Sequence, residues 1–299
     1  MLLKQGRYDE AESTLRRIPK EEPDPPSLHS LEYSLALLRS DQAALDRERT
    51  WMAQNADDLS VVSTQARIDS IDGRLDSARQ HTQHAVSIAR ESNLKEAAAN
   101  ALLFLADGEA LFGESIAAHK NCSEAMKFER SKSVRVAAAR VMALNGEGRE
   151  AQQIMDGLVR DHPLDTLLNG VDAPVIFAAS QLRKGQADQA LRTLEVVQPY
   201  EFGAYAGLLP NYLRGMAFLQ LRKGNEAAAE FNAVLDHRGV APMSPLWELS
   251  RLGLARAYKM QGDLVKARTA YQDFLTLWKE AAPAIPILKQ AKAEYAKLQ

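Results

Sequence analysis

Large apolar residues return along this chain at the spacing of one helical face. Near the C-terminus Leu254, Tyr258, Ala267, Tyr271 and Phe274 follow one another at helical intervals, with Arg, Lys, Asp and Gln filling the positions between them. Forty residues upstream of Ala255, Tyr258, Ala267 and Tyr271 stand Gly215, Phe218, Ala227 and Phe231, so two stretches carry the same face. A stripe of this kind predicts amphipathic helices packed through one side. The intervening sequence is rich in Ala, Leu, Glu, Gln, Arg and Lys, which lose little on entering a helix. Prolines punctuate it at 19, 23, 25, 26, 163, 174, 199, 210, 242, 245, 283 and 286. The longest strand-like run, Val171 to Phe177, is broken by Asp172 and Pro174. The pattern predicts an all-α fold.

The helices come in repeats. The pentapeptide QLRKG occurs at Gln181–Gly185 and at Gln220–Gly224, thirty-nine residues apart. Aligned on its glycine, the spacing Gly, four residues, Ala recurs as Gly6/Ala11, Gly73/Ala78, Gly113/Ala118, Gly146/Ala151, Gly185/Ala190, Gly224/Ala229 and Gly262/Ala267. Successive glycines lie 67, 40, 33, 39, 39 and 38 residues apart, and Ser40 with Leu45 divides the first interval as a degenerate copy. A period of 33 to 40 residues is that of stacked helical hairpins. Glycine just past the first helix takes the left-handed conformation that a β-carbon resists, which allows the chain to fold back. Alanine one turn into the second helix lets the two backbones approach. In the forty-residue register Ala227, rather than Ala229, fills that packing position.

A small residue, an aromatic three further on, then Ala and an aromatic four later, with Pro163 after a second helix, resembles the tetratricopeptide repeat. The resemblance spans nearly the whole chain, with the strongest copies from Gly146 onward. It implies a right-handed superhelical solenoid of about eight antiparallel hairpins. Residues 1–26 are expected to form an incomplete first hairpin, 27–162 degenerate repeats, 163–282 well-formed repeats and 283–299 a capping helix. Ile287, Leu288, Ala291, Tyr295 and Leu298 give that last helix its apolar side. Only five residues precede Gly6, so the chain is expected to begin inside a repeat, as a piece of a longer protein complete at its C-terminus. The C-terminal third, including LRGMAFLQLRKGNEAAAEFNAVLDHRG, is similar to the repeat-rich C-terminal region of bacterial, especially acidobacterial, serine/threonine protein kinases. The resemblance implies a parent with an N-terminal kinase module. No kinase residue transfers to this chain, since it holds no glycine-rich phosphate loop, no Val-Ala-Ile-Lys and no Asp-Phe-Gly, and His237-Arg238-Gly239 lacks the aspartate.

Charge narrows the partners. With 37 basic and 39 acidic side chains the 299-residue chain offers no field to draw in a nucleic acid or an anionic membrane. No apolar run approaches the roughly 20 residues of a membrane span, so a soluble chain without direct membrane insertion is expected. The compartment is cytoplasmic by default and extracytoplasmic where a membrane span precedes the repeats in a parent kinase. Cys122, the single cysteine, excludes an internal disulfide. His81/His84 and His119/Cys122 stand three apart on helices and could each offer two metal ligands, but Cys122 falls at a core position and the histidines are expected to face solvent. Asp57-Asp58, Glu21-Glu22 and Asp69/Asp72 sit at helix ends, where carboxylates cap free amides. Neither a cofactor nor a catalytic residue is expected. Trp51, Trp247 and Trp278 read as core anchors, Trp247 starting the last hairpin and Trp278 packing against the terminal helix.

Function then falls to the concave face, which the first helices of a superhelical array line. Counting back from each turn places Arg67, Asn100, Asp107, Arg140, Tyr212, Met216, Arg256 and Lys259 there. The mixture lacks the repeated Lys/Asn/Arg pattern with which chaperone adaptors of this family clamp a terminal carboxylate. The leading expectation is a non-catalytic scaffold binding a protein or peptide in an open groove. A freestanding regulator that closes on itself or self-associates is the second reading, and a helical-toroid hydrolase the third.

Overall fold

The computed structural model describes residues 2–18, 25–203 and 205–298. Among these residues sixteen α-helices follow one another and no strand occurs. They are α1 (Tyr8–Leu15), α2 (Pro26–Arg39), α3 (Gln42–Gln54), α4 (Leu59–Ile71), α5 (Leu75–Glu91), α6 (Lys95–Phe112), α7 (Ser115–Phe128) and α8 (Lys132–Asn145), then α9 (Gly148–Asp161), α10 (Ala173–Arg183), α11 (Ala187–Leu194), α12 (Leu209–Gln220), α13 (Gly224–Asp236), α14 (Leu246–Gln261), α15 (Leu264–Leu277) and α16 (Pro286–Ala296). Helices α2 to α15 pair into seven successive hairpins that stack as a solenoid. A short π-helical segment at Leu168–Asp172 and 3-10 turns at Glu195–Tyr200 and Arg238–Val240 lie in the connections between them.

Left-handed residues make the hairpin bends. Gly73, Gly113, Gly146, Gly185 and Gly262 take φ of +71°, +86°, +94°, +74° and +82°, and Ser40 takes φ 56° at the degenerate copy. One bend departs from the glycine alignment: between α12 and α13 the left-handed residue is Arg222, at φ 58°. Gly224 is instead the first residue of α13, and a β-carbon there would stand 3.0 Å from the Ala257 carbonyl oxygen. The second QLRKG is thus displaced by two residues relative to its turn, because α12 stops at Gln220. Ala227 is correspondingly the fully buried packing residue, as Ala78, Ala118, Ala151, Ala190 and Ala267 are in their hairpins, while Ala229 is exposed. Asp41, Asp58 and Asp263 accept amide protons at the starts of α3, α4 and α15.

The array does not remain open. Its last hairpin returns to the bends of hairpins near its start. Trp278 donates its indole N–H to the Ile71 carbonyl at 3.0 Å, and the Ala282 amide donates to the Gly73 carbonyl at 2.9 Å. The Trp278 ring meets Phe112 edge-on at 4.9 Å, so it anchors to α4 and α6 rather than serving only the terminal helix. Gly73 has room for Ala281 only because it lacks a β-carbon, which would lie 2.6 Å from the Ala281 methyl. Pro286, opening α16, sits against the Gly113 bend. Leu75 and Phe112 accordingly belong to one apolar core with Tyr271, Phe274, Trp278 and Leu288. Accessible area totals 14600 Å², against roughly 12,500 Å² for a compact globule of this mass. The excess is what a coil with an inner face exposes.

Charge is trapped at this seam. Glu248, on the first turn of α14, is 5% exposed; its nearest cation, the Arg251 Nε, stands 3.8 Å away. Burial pushes the Glu248 carboxyl up to about 7, against the pull of Arg251 and Arg238 and with a further push from Asp72. Below its ordinary 4.5 the group is neutral in folded and unfolded chains alike and contributes nothing. As pH rises from there to about 7 the unfolded chain ionises while the folded one stays protonated. Stability therefore falls across that window by on the order of 3 kcal/mol and levels off above it. Thermal unfolding of Glu248→Gln should show this slope removed and stability raised at pH 8; an unchanged slope contradicts the assignment. At the bends, Gly185→Val should cost about 1 kcal/mol or more through left-handed strain, whereas Arg222→Gly should gain roughly 0.5 to 1 kcal/mol by relieving it. Denaturant unfolding checks both, and a destabilised Arg222→Gly contradicts the corrected turn.

Candidate functional site

The first helices carry a line of charge and aromatic surface across the inner face. Arg67, on α4, lays its guanidinium over the Phe104 ring of α6 at 4.8 Å. Among the described residues it has no carboxylate at ion-pair distance. One turn along α6 from Phe104, Asp107 accepts from the Arg140 Nε of α8 at 2.8 Å. Asp172, at the start of α10, accepts the Tyr205 hydroxyl at 2.6 Å. Four successive hairpins thus contribute to one row. Solvent reaches both guanidiniums, yet protein surrounds them closely. Burial lowers the Arg67 pKa, while the attraction of Asp107, helped by Asp172, raises that of Arg140. Burial also pushes the Asp172 carboxyl upward. The row is thus a partly enclosed polar surface, in which the charges are felt more strongly than on fully open surface.

Of the residues counted back from the turns, Arg67, Asp107 and Arg140 come together here, and Asn100 lies exposed one helical turn before Phe104. The others separate. Tyr212 is 6% exposed, its phenol is pushed up to about 12 by burial, and its ring packs toward Phe231 at 6.0 Å. With Met216 it borders a partly open pocket of about 280 Å³ beside Leu111, Leu144 and Leu182, and its own burial makes it a core residue rather than an exposed groove position. Arg256 is committed to the terminal helix: its Nε donates to Glu294 at 2.9 Å, and the Tyr271 hydroxyl donates to the same carboxylate. Lys259 is exposed near the end of α14. Counting from turns alone missed Phe104, Asp172 and Tyr205. Phe104 was visible as the residue one turn before Asp107, whereas Tyr205 lies in a connection with no helical register.

The inner face is also occupied. A cavity of about 320 Å³ is walled on one side by Arg67, Phe104, Asp107 and Gly108 and on the other by Ala241–Pro245, from the connection between α13 and α14. An open groove along the whole array is therefore replaced by a channel that the chain itself crosses near α2, α4 and α6.

Most buried carboxylates among the described residues are tied to partners, though Asp69, Asp72 and Glu248 lie near enough to act on one another. Glu109 is held by Arg79 and Asn121 at 2.9 and 2.7 Å, and Asp69 by Arg74 and His81 at 2.6 and 2.8 Å. His119 pairs with Glu147 at 2.8 Å, and Cys122 is buried with its thiol pushed up to about 12, first by burial and then by the charge of Glu147. Asp58 caps α4, and Glu21 and Glu22 lie outside the described residues. One group of three metal-capable residues that the sequence reading missed is His29, Glu32 and Glu48, whose donor atoms lie within 4.8 Å of one another. The His29 Nδ1 and Glu48 Oε2 already meet at 2.7 Å, with the His29 ring stacked on Trp51 at 3.4 Å.

The described residues form an all-helical array of stacked hairpins with a polar row along its first helices. Its repeats are tetratricopeptide-like: family models described as tetratricopeptide repeat match residues 250–280 and residues 1–17. A crystal structure of a tetratricopeptide repeat protein from Parabacteroides merdae is 16% identical and superposes with a TM-score of 0.53, covering 86% of this chain and 94% of that one. The tetratricopeptide domain of P58(IPK), 14% identical, aligns over 100% of this chain and 96% of its own with a TM-score of 0.33. At 16% identity the first likeness is one of fold. No curated protein matches the chain in sequence. Among the described residues no helix is long and apolar enough to cross a membrane.

The Asp107–Arg140 pair is the testable joint of the row. A double-mutant cycle on Asp107→Asn and Arg140→Gln should give a coupling of about 0.5 to 1 kcal/mol, as expected of a half-exposed pair. A coupling of zero in low salt contradicts the geometry.

Proposed function

We propose that this chain is a non-catalytic protein-interaction scaffold that holds a segment of a partner against the inner row. The observation that carries this reading is the row itself. Arg67 offers an exposed guanidinium laid over an aromatic face, Arg140 shares its charge with Asp107, and Tyr205 and Asp172 continue the line. Polar groups held in a channel discriminate strongly, because a ligand that leaves them unpaired loses their hydration without replacement. Within the row the charged groups are satisfied by one another, Arg140 by Asp107 and the Tyr205 hydroxyl by Asp172, which supports a role in binding.

The resemblance of the C-terminal third to the repeat region of bacterial serine/threonine kinases, carried by the sequence alone, is our ground for proposing a finer placement, as the sensing or docking part of such a multidomain protein. In that setting the seam between the last hairpin and the Gly73 bend would transmit a change of partner to whatever precedes the repeats.

Photo-crosslinking tests the binding face. With a photoreactive residue in place of Asn100 on α6, adducts with a partner protein should form and should be lost on adding Arg140→Ala. In place of Ile116, 88% exposed on the second helix α7, the same probe should give none. Adducts from the Ile116 position with none from Asn100 would place binding on the outer face and overturn the reading.

A further inference from the structure

The connection between α13 and α14 sits in the channel as a ligand would. At Arg238 the chain reaches across to the first described hairpin, its Nη2 donating to the Leu37 carbonyl at 3.4 Å while its guanidinium covers the Trp247 ring at 3.7 Å. Gly239 passes so close to the N-terminal turn Leu2–Gln5 that a β-carbon would overlap the Leu3 carbonyl. From there the Ser244 amide donates to the Ala241 carbonyl at 3.1 Å, closing a β-turn with Pro242 and Met243 at its corners. Proline presets the backbone for the second position of such a turn. Met243 enters the apolar cluster of Tyr33, Leu45, Met52 and Ile68, and the turn's other side borders the cavity below Arg67 and Phe104.

This contact is uneven in a telling way. The turn carries no charge, and between it and the opposite wall of Arg67 and Phe104 lies a cleft of about 320 Å³ that is partly open to solvent. A loop built into a core is packed on every side, whereas this turn is held by Met243 against α2 and through Arg238, and leaves its Arg67 side to an open cleft. A methionine is an adaptable plug rather than a shaped one.

We propose that Ala241–Pro245 is a ligand in cis for the inner face of α2, α4 and α6, and that the partner segment displacing it is an uncharged proline-initiated β-turn presenting a long unbranched apolar side chain. This rests on the scaffold reading and names its ligand class. Displacement frees Arg238 and Gly239 from the N-terminal hairpin, which couples ligand binding to the contact between the two ends of the coil.

The probe is a fluorescent peptide of residues 238–247. Against the full chain with Ala241–Pro245 exchanged for Gly and Ser, fluorescence anisotropy should show binding at least ten times tighter than to the unaltered chain, and the same peptide with Met243→Asp should bind neither. Equal affinity for both chains, or none for either, overturns the proposal. Because the exchanged chain could fail to fold, hydrogen exchange on the unaltered chain decides independently. Millimolar peptide should accelerate the amides of residues 239–246 severalfold while leaving α8 unchanged, and no acceleration overturns the proposal. Concave crosslinks at the Asn100 position together with a peptide that binds nowhere would leave the scaffold reading standing and remove this one.

Discussion

Two backbone carbonyls near the start of the array, those of Ile71 and Gly73, hold its far end through Trp278 and Ala282. Everything about the inner face follows from that return. Stacked hairpins with a steady rotation would otherwise present their first helices along an open spiral. The seam fastens the last hairpin to the second and third, beside the inner face of α4 and α6. It also carries the α13–α14 connection across that face. The contact is a core in its own right, since Leu75 and Phe112 are buried among residues of the last two hairpins.

The channel explains why charges that read as surface groups act as partly buried ones. Arg67 and Arg140 touch solvent but lie within protein on most sides, so Asp107 matters more to Arg140 than an exposed partner would. The same enclosure strains the seam. Glu248 enters it without a hydrogen-bonding cation at close range, and neighbouring Arg238 is itself held below its ordinary pKa, chiefly by burial. Closure is thus made of strong apolar packing around an imperfectly paired polar cluster, a combination that suits a contact meant to yield.

Much of the hairpin layer was legible because its determinants are local. Gly73, Gly113, Gly146, Gly185 and Gly262 stand where φ is positive, and alanine follows where two helices touch, so period and turn chemistry sufficed. The misreading at Gly224 shows the limit. Arg222 tolerates the left-handed position, so the motif's glycine no longer marks the bend and the count shifts by two. The longest helices, α5 and α6, fall where the repeat motif is weak. Helix length follows the run of helix-forming residues, which a motif match does not measure. The candidate site was legible only where a groove residue sits on a regular helix, as Arg67, Asp107 and Arg140 do. Arg256 and Tyr212 went astray because their partners, Glu294 and the cavity beside Leu111, come from elsewhere in the chain. No periodicity joins Trp278 to a carbonyl 207 residues away.

The most direct measurement of the closed coil is proton exchange at its fastening points. Nuclear magnetic resonance can follow the Trp278 indole proton and the Ala282 amide separately from the two other tryptophans. If the coil closes as described, both exchange as slowly as amides in the middle of α14, and Gly73→Val speeds them together while α8 stays protected. If instead they exchange at the rate of exposed loop protons in the unaltered chain, the ends do not meet, and the channel with its resident turn does not exist in solution.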